Sequence, residues 1–93
     1  MTLPVSKILK LGTVNGAIYD FVAVGDILPM HDHDEATVHF TVVCRGAVKI
    51  SGPDWSQNNR AGDILDFAAG NPHEFEALEP ATRIVNIIKG LRA

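Results

Sequence analysis

The chain has 93 residues, which is enough for one small domain and leaves little room for a second hydrophobic core. Hydrophobic residues make up 46% of it and charged residues 20%, a composition that can bury a core and is not that of a disordered polar chain. The net charge of −3 and the scattering of Lys and Arg as single positions argue against nucleic-acid binding, which needs clustered positive charge.

Taken in chain order, the sequence consists of short segments with strand character, separated by turn signals. Residues 5–12 suit either a strand or the start of a short helix, whereas later segments are rich in β-branched and aromatic residues or alternate apolar with polar positions. Arg45-Gly46 predicts a tight hairpin, and residues 52–59 predict a turn. The pattern predicts an all-β sandwich or barrel in which residues 1–93 form a single domain. The predicted strands after the first are 17–28, 37–46, 47–52, 63–69, 73–78 and 83–90.

The segment HDHDEATVH, residues 31–39, contains three of the four histidines. Side chains alternate across a strand, so His31 and His33 share one face and can bind one ion from adjacent directions. Along a straight strand His39 would lie about 26 Å from His31, so the three converge only if the chain turns within residues 34–38, where Asp34, Glu35 and Ala36 are plausible turn residues. By itself a His-x-His pair is a weak signal for metal binding.

The wider spacing of these histidines resembles the two motifs of the cupin superfamily. The first resemblance covers residues 25–46, in which His-x-His is preceded and followed by glycines at fixed intervals. The second covers residues 62–77, which match Gly, five residues, Pro-x-Gly, two residues and His, with Ala68 at the proline position and Ala77 at the position of a later asparagine. All four histidines of the chain fall on ligand positions of the pattern.

The resemblance implies a cupin jelly roll that holds one divalent metal ion, which would be Fe, Mn, Ni, Zn or Cu. The ligands it implies are His31, His33, His39 and His73. His39 occupies the position at which the family carries a glutamate, and Glu35 is the alternative fourth ligand because it shares the face of His31 and His33. Four neutral imidazoles leave the charge of the ion uncompensated, which favours an anionic substrate.

Strand alternation predicts which side chains line the interior. In the register implied by Gly46, His39, Thr41 and Val43 point inward, and the segment 73–78 directs His73, Phe75 and Ala77 inward. We therefore expect a substrate pocket formed by Thr41, Val43, Phe67 and Phe75. Asn86 interrupts an apolar segment, which is compatible with either an interior position or an edge strand.

The resemblance implies a metal-dependent enzyme that acts on a small anionic or enolic organic substrate, in the manner of a dioxygenase. A metal-assisted isomerase or lyase is an alternative, and so is a non-catalytic module that binds a metal or a small molecule. Glu35 is the visible candidate for a catalytic general base.

Compartment and assembly follow from simpler features. No apolar run is long enough to span a bilayer, residues 1–12 lack the pattern of a signal peptide, and the lone Cys44 fits a reducing compartment. The sequence therefore predicts a cytoplasmic protein without nucleic-acid or membrane partners. Because small barrels tend to cover their edge strands, we expect a homodimer formed through the apolar segments 5–11 and 84–88.

Overall fold

A computed structural model of the protein describes residues 2–31, 38–67 and 72–89, with the backbone alone at positions 11, 31 and 38. Within these ranges the chain forms β-strands joined by turns, and none of the described segments is a helix that could cross a membrane. The strands are β1 (Val5–Leu11), β2 (Val14–Phe21), β3 (Ile27–His31), β4 (Val38–Arg45), β5 (Ala47–Ser51), β6 (Ser56–Arg60), β7 (Ile64–Asp66), β8 (His73–Ala77) and β9 (Thr82–Lys89).

The strands form two antiparallel sheets. The five-stranded sheet has the order β1-β2-β9-β4-β7, and the four-stranded sheet has the order β3-β8-β5-β6. Fully buried side chains from both sheets form one core, which shows that the sheets pack face to face. This arrangement confirms the predicted all-β sandwich. The core residues are Phe21, Val43, Val48, Ile50, Phe75, Ala77 and Ile84.

The inward positions of β4 and β8 are those that strand alternation predicts. Thr41 and Val43 are completely buried, as are Phe75 and Ala77, whereas Cys44 is exposed. Burying a large apolar side chain such as Phe75 contributes about 1.5 to 3 kcal/mol, so this pattern sets which face of each strand meets the core.

The predicted hairpin at Arg45-Gly46 is wrong. β4 belongs to the five-stranded sheet and β5 to the four-stranded sheet, so the chain crosses between the two layers at Gly46. Gly46 adopts a positive φ of 79°, and a Cβ at this position would collide with the Cα and the side chain of Thr82. A glycine followed by a change of sheet gives the same local signal as a glycine in a hairpin.

Two strand boundaries also differ from the prediction. Residues 17–28 do not form one strand but contribute to β2 and β3, because the chain turns at Gly25, whose φ is 89°. The predicted turn at 52–59 contains most of β6, which pairs with β5 along its length. β6 is polar and largely exposed, so it lacks the apolar alternation by which a strand is recognised in a sequence.

The segment 84–88 is not at an edge. It forms the middle of β9, which lies between β2 and β4 in the five-stranded sheet, whereas β1 is an edge strand as expected.

Candidate metal centre

Two histidines from opposite sheets meet in the interior of the sandwich. His39 lies on β4 in the five-stranded sheet, and His73 is the first residue of β8 in the four-stranded sheet. Their exposed fractions are 5% and 1%. The centroids of the two imidazole rings are 5.0 Å apart, and the ring planes are inclined by 47°. The packing of the two sheets therefore joins two predicted ligand positions that are distant in the chain.

The backbone of His31 lies next to this pair. His31 ends β3 and is the register partner of His73 on β8, after an irregularity in pairing that begins beyond Leu28. Two of the predicted site residues, His33 and Glu35, lie outside the described residues, as do the predicted turn residues 34–36. Ala68 of the second motif lies outside them too.

Two aromatic rings contact the histidine pair. Phe67 stacks on His73 with a centroid distance of 4.0 Å and an angle of 16°, and its centroid lies 5.0 Å from that of His39. The backbone N–H of Phe67 donates a hydrogen bond of 2.9 Å to the carbonyl oxygen of His39, which holds the segment after β7 against β4. Phe75 meets His73 and Phe67 edge-on, at 5.6 Å and 6.1 Å. Phe67 and Phe75 thus form an apolar wall beside the imidazoles.

The other two predicted pocket residues lie deeper in the sandwich. The hydroxyl of Thr41 donates a hydrogen bond of 2.6 Å to Oδ1 of Asn86, its register partner on β9, and both side chains are buried. Val43 is part of the core. Asn86 was not among the predicted site residues, although a polar residue at an inward position of an apolar strand was a signal for it. It forms, with Thr41, a polar layer one inward position from His39.

The described residues fit part of a metal site. Two imidazoles that bind one ion at angles of about 90° to 110°, each nitrogen about 2.1 Å from the ion, have ring centroids about 4.5 to 5.2 Å apart. The distance between the rings of His39 and His73 falls in this range. Within the described part of the chain, no group of three or more His, Cys, Asp or Glu side chains is placed to hold an ion. The structure therefore shows two of the four predicted donors together.

The comparisons with known proteins address the fold. No protein-family model and no curated protein matches the chain. Among solved structures, an RmlC-like cupin protein from Desulfovibrio desulfuricans is 21% identical, with a TM-score of 0.83 over 95% of this chain and 83% of that one. A conserved protein with a double-stranded β-helix domain from Klebsiella pneumoniae is 18% identical, with a TM-score of 0.84 over 95% of this chain and 77% of that one. KdgF from Halomonas sp. is 19% identical, with a TM-score of 0.80 over 94% of this chain and 80% of that one.

These likenesses extend over nearly the whole chain at low sequence identity, so they concern the arrangement of the strands. That arrangement is the two-sheet sandwich that the sequence motifs predicted. The protein has the fold of the cupin superfamily, a double-stranded β-helix.

Proposed function

We propose that the protein binds one divalent metal ion through His31, His33, His39 and His73 and acts on a small anionic or enolic organic substrate. The observation that carries this proposal is the placement of His39 and His73, whose rings lie side by side in the buried interior. Imidazole is a common ligand of divalent transition metals, so two imidazoles placed side by side suit a metal site.

The backbone register supports a third ligand from β3. His31 lies directly across from His73, and directly opposed residues of an antiparallel pair are close neighbours. In the proposed site His31 therefore joins the pair from the four-stranded sheet, and His33 follows it two positions later along the chain. Sites with histidine ligands suit Zn, Cu, Ni and Fe, so the donor set leaves the identity of the ion to its availability in the cell.

The charge of the ligands determines the class of substrate. Four neutral imidazoles carry no negative charge, so the positive charge of the ion is left to be compensated by the substrate. A divalent ion polarises a bound oxygen atom and lowers its pKa, which is the chemistry it would supply here. An enol or a small carboxylate is the matching partner.

The chain's own residues shape the surroundings of the substrate. Phe67 and Phe75 place an apolar wall beside the two imidazoles, which excludes water and suits the flat carbon skeleton of an enolic or aromatic molecule. Thr41 and Asn86 form the polar layer behind His39, and the hydrogen bond between them fixes the positions of both side chains. We propose the carboxylate of Glu35 as the general base.

Metal content is the first test. We expect protein purified without a histidine tag and without chelators to carry close to one equivalent of a divalent metal by elemental analysis, and the His73→Ala variant to lose most of it. The matched control is Phe75→Leu, which alters the apolar wall beside the imidazoles without removing a proposed metal ligand. This variant should keep the metal. A folded His73→Ala variant that retains its metal would remove this residue from the site.

Turnover is the second test. The metal-loaded protein is offered a panel of diketones, flavonols and related enols while oxygen uptake and substrate loss are followed separately. Oxygen uptake coupled to substrate loss supports a dioxygenase, which is the activity we propose. Substrate loss without oxygen uptake would identify an isomerase or a lyase, and metal-dependent binding without turnover would identify a binding module.

A further inference from the structure

The outer face of the four-stranded sheet has a pocket at one end. Ala47 is an outward position of β5, because its neighbour Val48 is completely buried. Its side chain is a single methyl group, and larger residues lie on both sides of it. Arg60 on β6 is its register partner, and on the other side the N–H of Leu78 donates a hydrogen bond of 2.9 Å to its carbonyl oxygen. The pocket over this small side chain is lined by Ala47, Asn58, Asn59, Arg60, Leu78 and Glu79.

The two walls of this pocket carry opposite charges. Arg60 belongs to the wall formed by β6, and Glu79 belongs to the wall formed by the turn after β8. With strands about 4.8 Å apart, positions 60 and 78 are separated by about 10 Å across Ala47. Among the described residues, neither the guanidinium of Arg60 nor the carboxylate of Glu79 forms an ion pair. A cation and an anion therefore border the same space without neutralising each other.

The backbone on both walls is fixed by hydrogen bonds. On one wall, the carboxylate of Asp63 accepts a hydrogen bond of 3.0 Å from the N–H of Arg60. On the other wall, the hydroxyl of Thr82 donates a hydrogen bond of 2.8 Å to the carbonyl oxygen of Glu79 and accepts one of 3.3 Å from the N–H of Ala47. The two charged side chains are thus carried by ordered backbone, which lowers the entropy that a ligand must overcome on binding.

We propose that this pocket binds a small zwitterion, an amino acid whose carboxylate lies against Arg60 and whose ammonium group lies against Glu79. A guanidinium presents a planar fork of donors that matches a carboxylate, and a carboxylate accepts strong hydrogen bonds from an ammonium group. The side-chain amide of Asn58 can donate to the first group or accept from the second. The volume of about 390 Å³ lies in the range of small-molecule sites.

The pocket is separate from the histidine pair. β8 begins at His73 and ends at Ala77, and the pocket begins at Leu78, so the two sites lie at opposite ends of this strand, about 16 Å apart at about 3.3 Å per residue. His73 also faces the interior, whereas the pocket is on the outer face of the sheet. Binding in the pocket is therefore independent of the metal proposed for the interior.

Amide resonances of the isotope-labelled full chain test the class of ligand. The probes are glycine, β-alanine and γ-aminobutyrate, which separate the two charges by increasing distances. We expect at least one of them to shift the resonances of residues 47, 58–60 and 78–79 in a saturable way, with or without a metal chelator. Its N-acetyl form and its methyl ester each lack one charge and should bind at least about tenfold more weakly. The absence of a saturable shift with all three probes overturns the proposal, as does equal affinity for a singly charged form.

Charge exchange tests the two walls. Arg60→Glu and Glu79→Arg should each weaken binding of the same probe by at least about tenfold, because each leaves one end of the zwitterion without its partner. The double variant restores one charge of each sign and should regain most of the affinity, with the ligand turned round. Lys7→Glu makes the same charge change on β1, in the other sheet, and should leave binding unchanged. Affinities in both single variants equal to that of the wild type overturn the proposal.

Filling the pocket tests its shape. Ala47→Leu places a larger side chain in the floor of the pocket and should abolish binding while circular dichroism shows an unchanged fold. Lys49→Leu adds the same side chain at the next outward position of β5, beyond the lining of the pocket, and should keep the affinity. A folded Ala47→Leu chain that binds the probe as tightly as the wild type overturns the assignment of the site.

Discussion

The imidazoles of His39 and His73 come from different sheets, yet their centroids are 5.0 Å apart and both are stacked or tilted against Phe67. Neither strand alone could form this pair, since β4 and β8 share no backbone hydrogen bonds in the sheets. The pair exists because both residues occupy inward positions at the same end of the two layers.

The fourth ligand can be identified by comparing two variants. In our proposal His39→Ala lowers the affinity for Zn²⁺ by at least about 100-fold, since it removes a donor, while Glu35→Ala changes it by much less. Isothermal titration of metal-free protein measures both affinities. The reverse order of effects would assign the position to Glu35 and leave His39 as a buried neighbour of Phe67.

The buried hydrogen bond between Thr41 and Asn86 should contribute measurably to stability. Thr41→Val or Asn86→Leu alone leaves one buried polar group without its partner, which costs about 1 to 3 kcal/mol, whereas the double variant leaves neither. Urea unfolding of the wild type, the two single variants and the double variant gives the coupling, which we expect to be about 1 to 2 kcal/mol. Additive effects would show that the two side chains do not depend on each other.

Gly46 should tolerate substitution much less well than Gly25. Both residues have a positive φ, which costs an alanine about 1 kcal/mol. A Cβ at Gly25 meets no atom within 4 Å, whereas one at Gly46 would lie 2.9 Å from the Cα of Thr82. We therefore expect Gly25→Ala to lower the free energy of unfolding by about 1 kcal/mol and Gly46→Ala by about 3 kcal/mol or more.

The Gly46 effect has an internal control. Because part of the collision is with the backbone of Thr82, adding Thr82→Ala to Gly46→Ala should not restore stability. Equal losses for Gly25→Ala and Gly46→Ala in urea unfolding would contradict the close approach of the two backbones at the crossing between sheets.

The ion pair between Asp20 and Arg83 should make stability depend on pH in the acid range. Nε and an Nη of Arg83 donate to the two carboxylate oxygens of Asp20 at 2.7 Å and 3.0 Å, and these hydrogen bonds hold the pKa of Asp20 below its usual value. A lowered pKa in the folded state means that the stabilisation is present above the ordinary value of about 3.9 and is lost as the pH falls below it.

Asp20→Asn removes this contribution. The variant should be less stable than the wild type by about 0.5 to 1 kcal/mol near neutral pH, a small amount because the pair is partly exposed, and the difference should shrink below about pH 4. Asp54→Asn, at an exposed turn between β5 and β6, provides the control. A difference that stays constant down to pH 2 would rule out the ion pair as its source.

Much of the interior could be predicted from local pattern. The inward positions of Thr41, Val43 and Phe75 follow from alternation, because a strand repeats every two residues and one face must be buried. β6 was missed because its exposed polar residues have no such alternation, and residues 45–46 were misassigned because a glycine with positive φ serves a crossing as well as a hairpin.

The sequence by itself determined that the chain is all-β, which side chains face the core, and that its histidines are spaced as in cupins. Only the tertiary structure decided that β4 and β5 lie in different sheets, that His39 and His73 approach each other, and that Gly16 and Phe40 flank Ile87 on the outer face. The physical reason is that side-chain alternation is a property of a few neighbouring residues. Sheet membership and register instead depend on hydrogen bonds between strands that are distant in the chain. Gly16 and Phe40 flank Ile87 because β9 lies between β2 and β4, and His39 approaches His73 because the two sheets pack together.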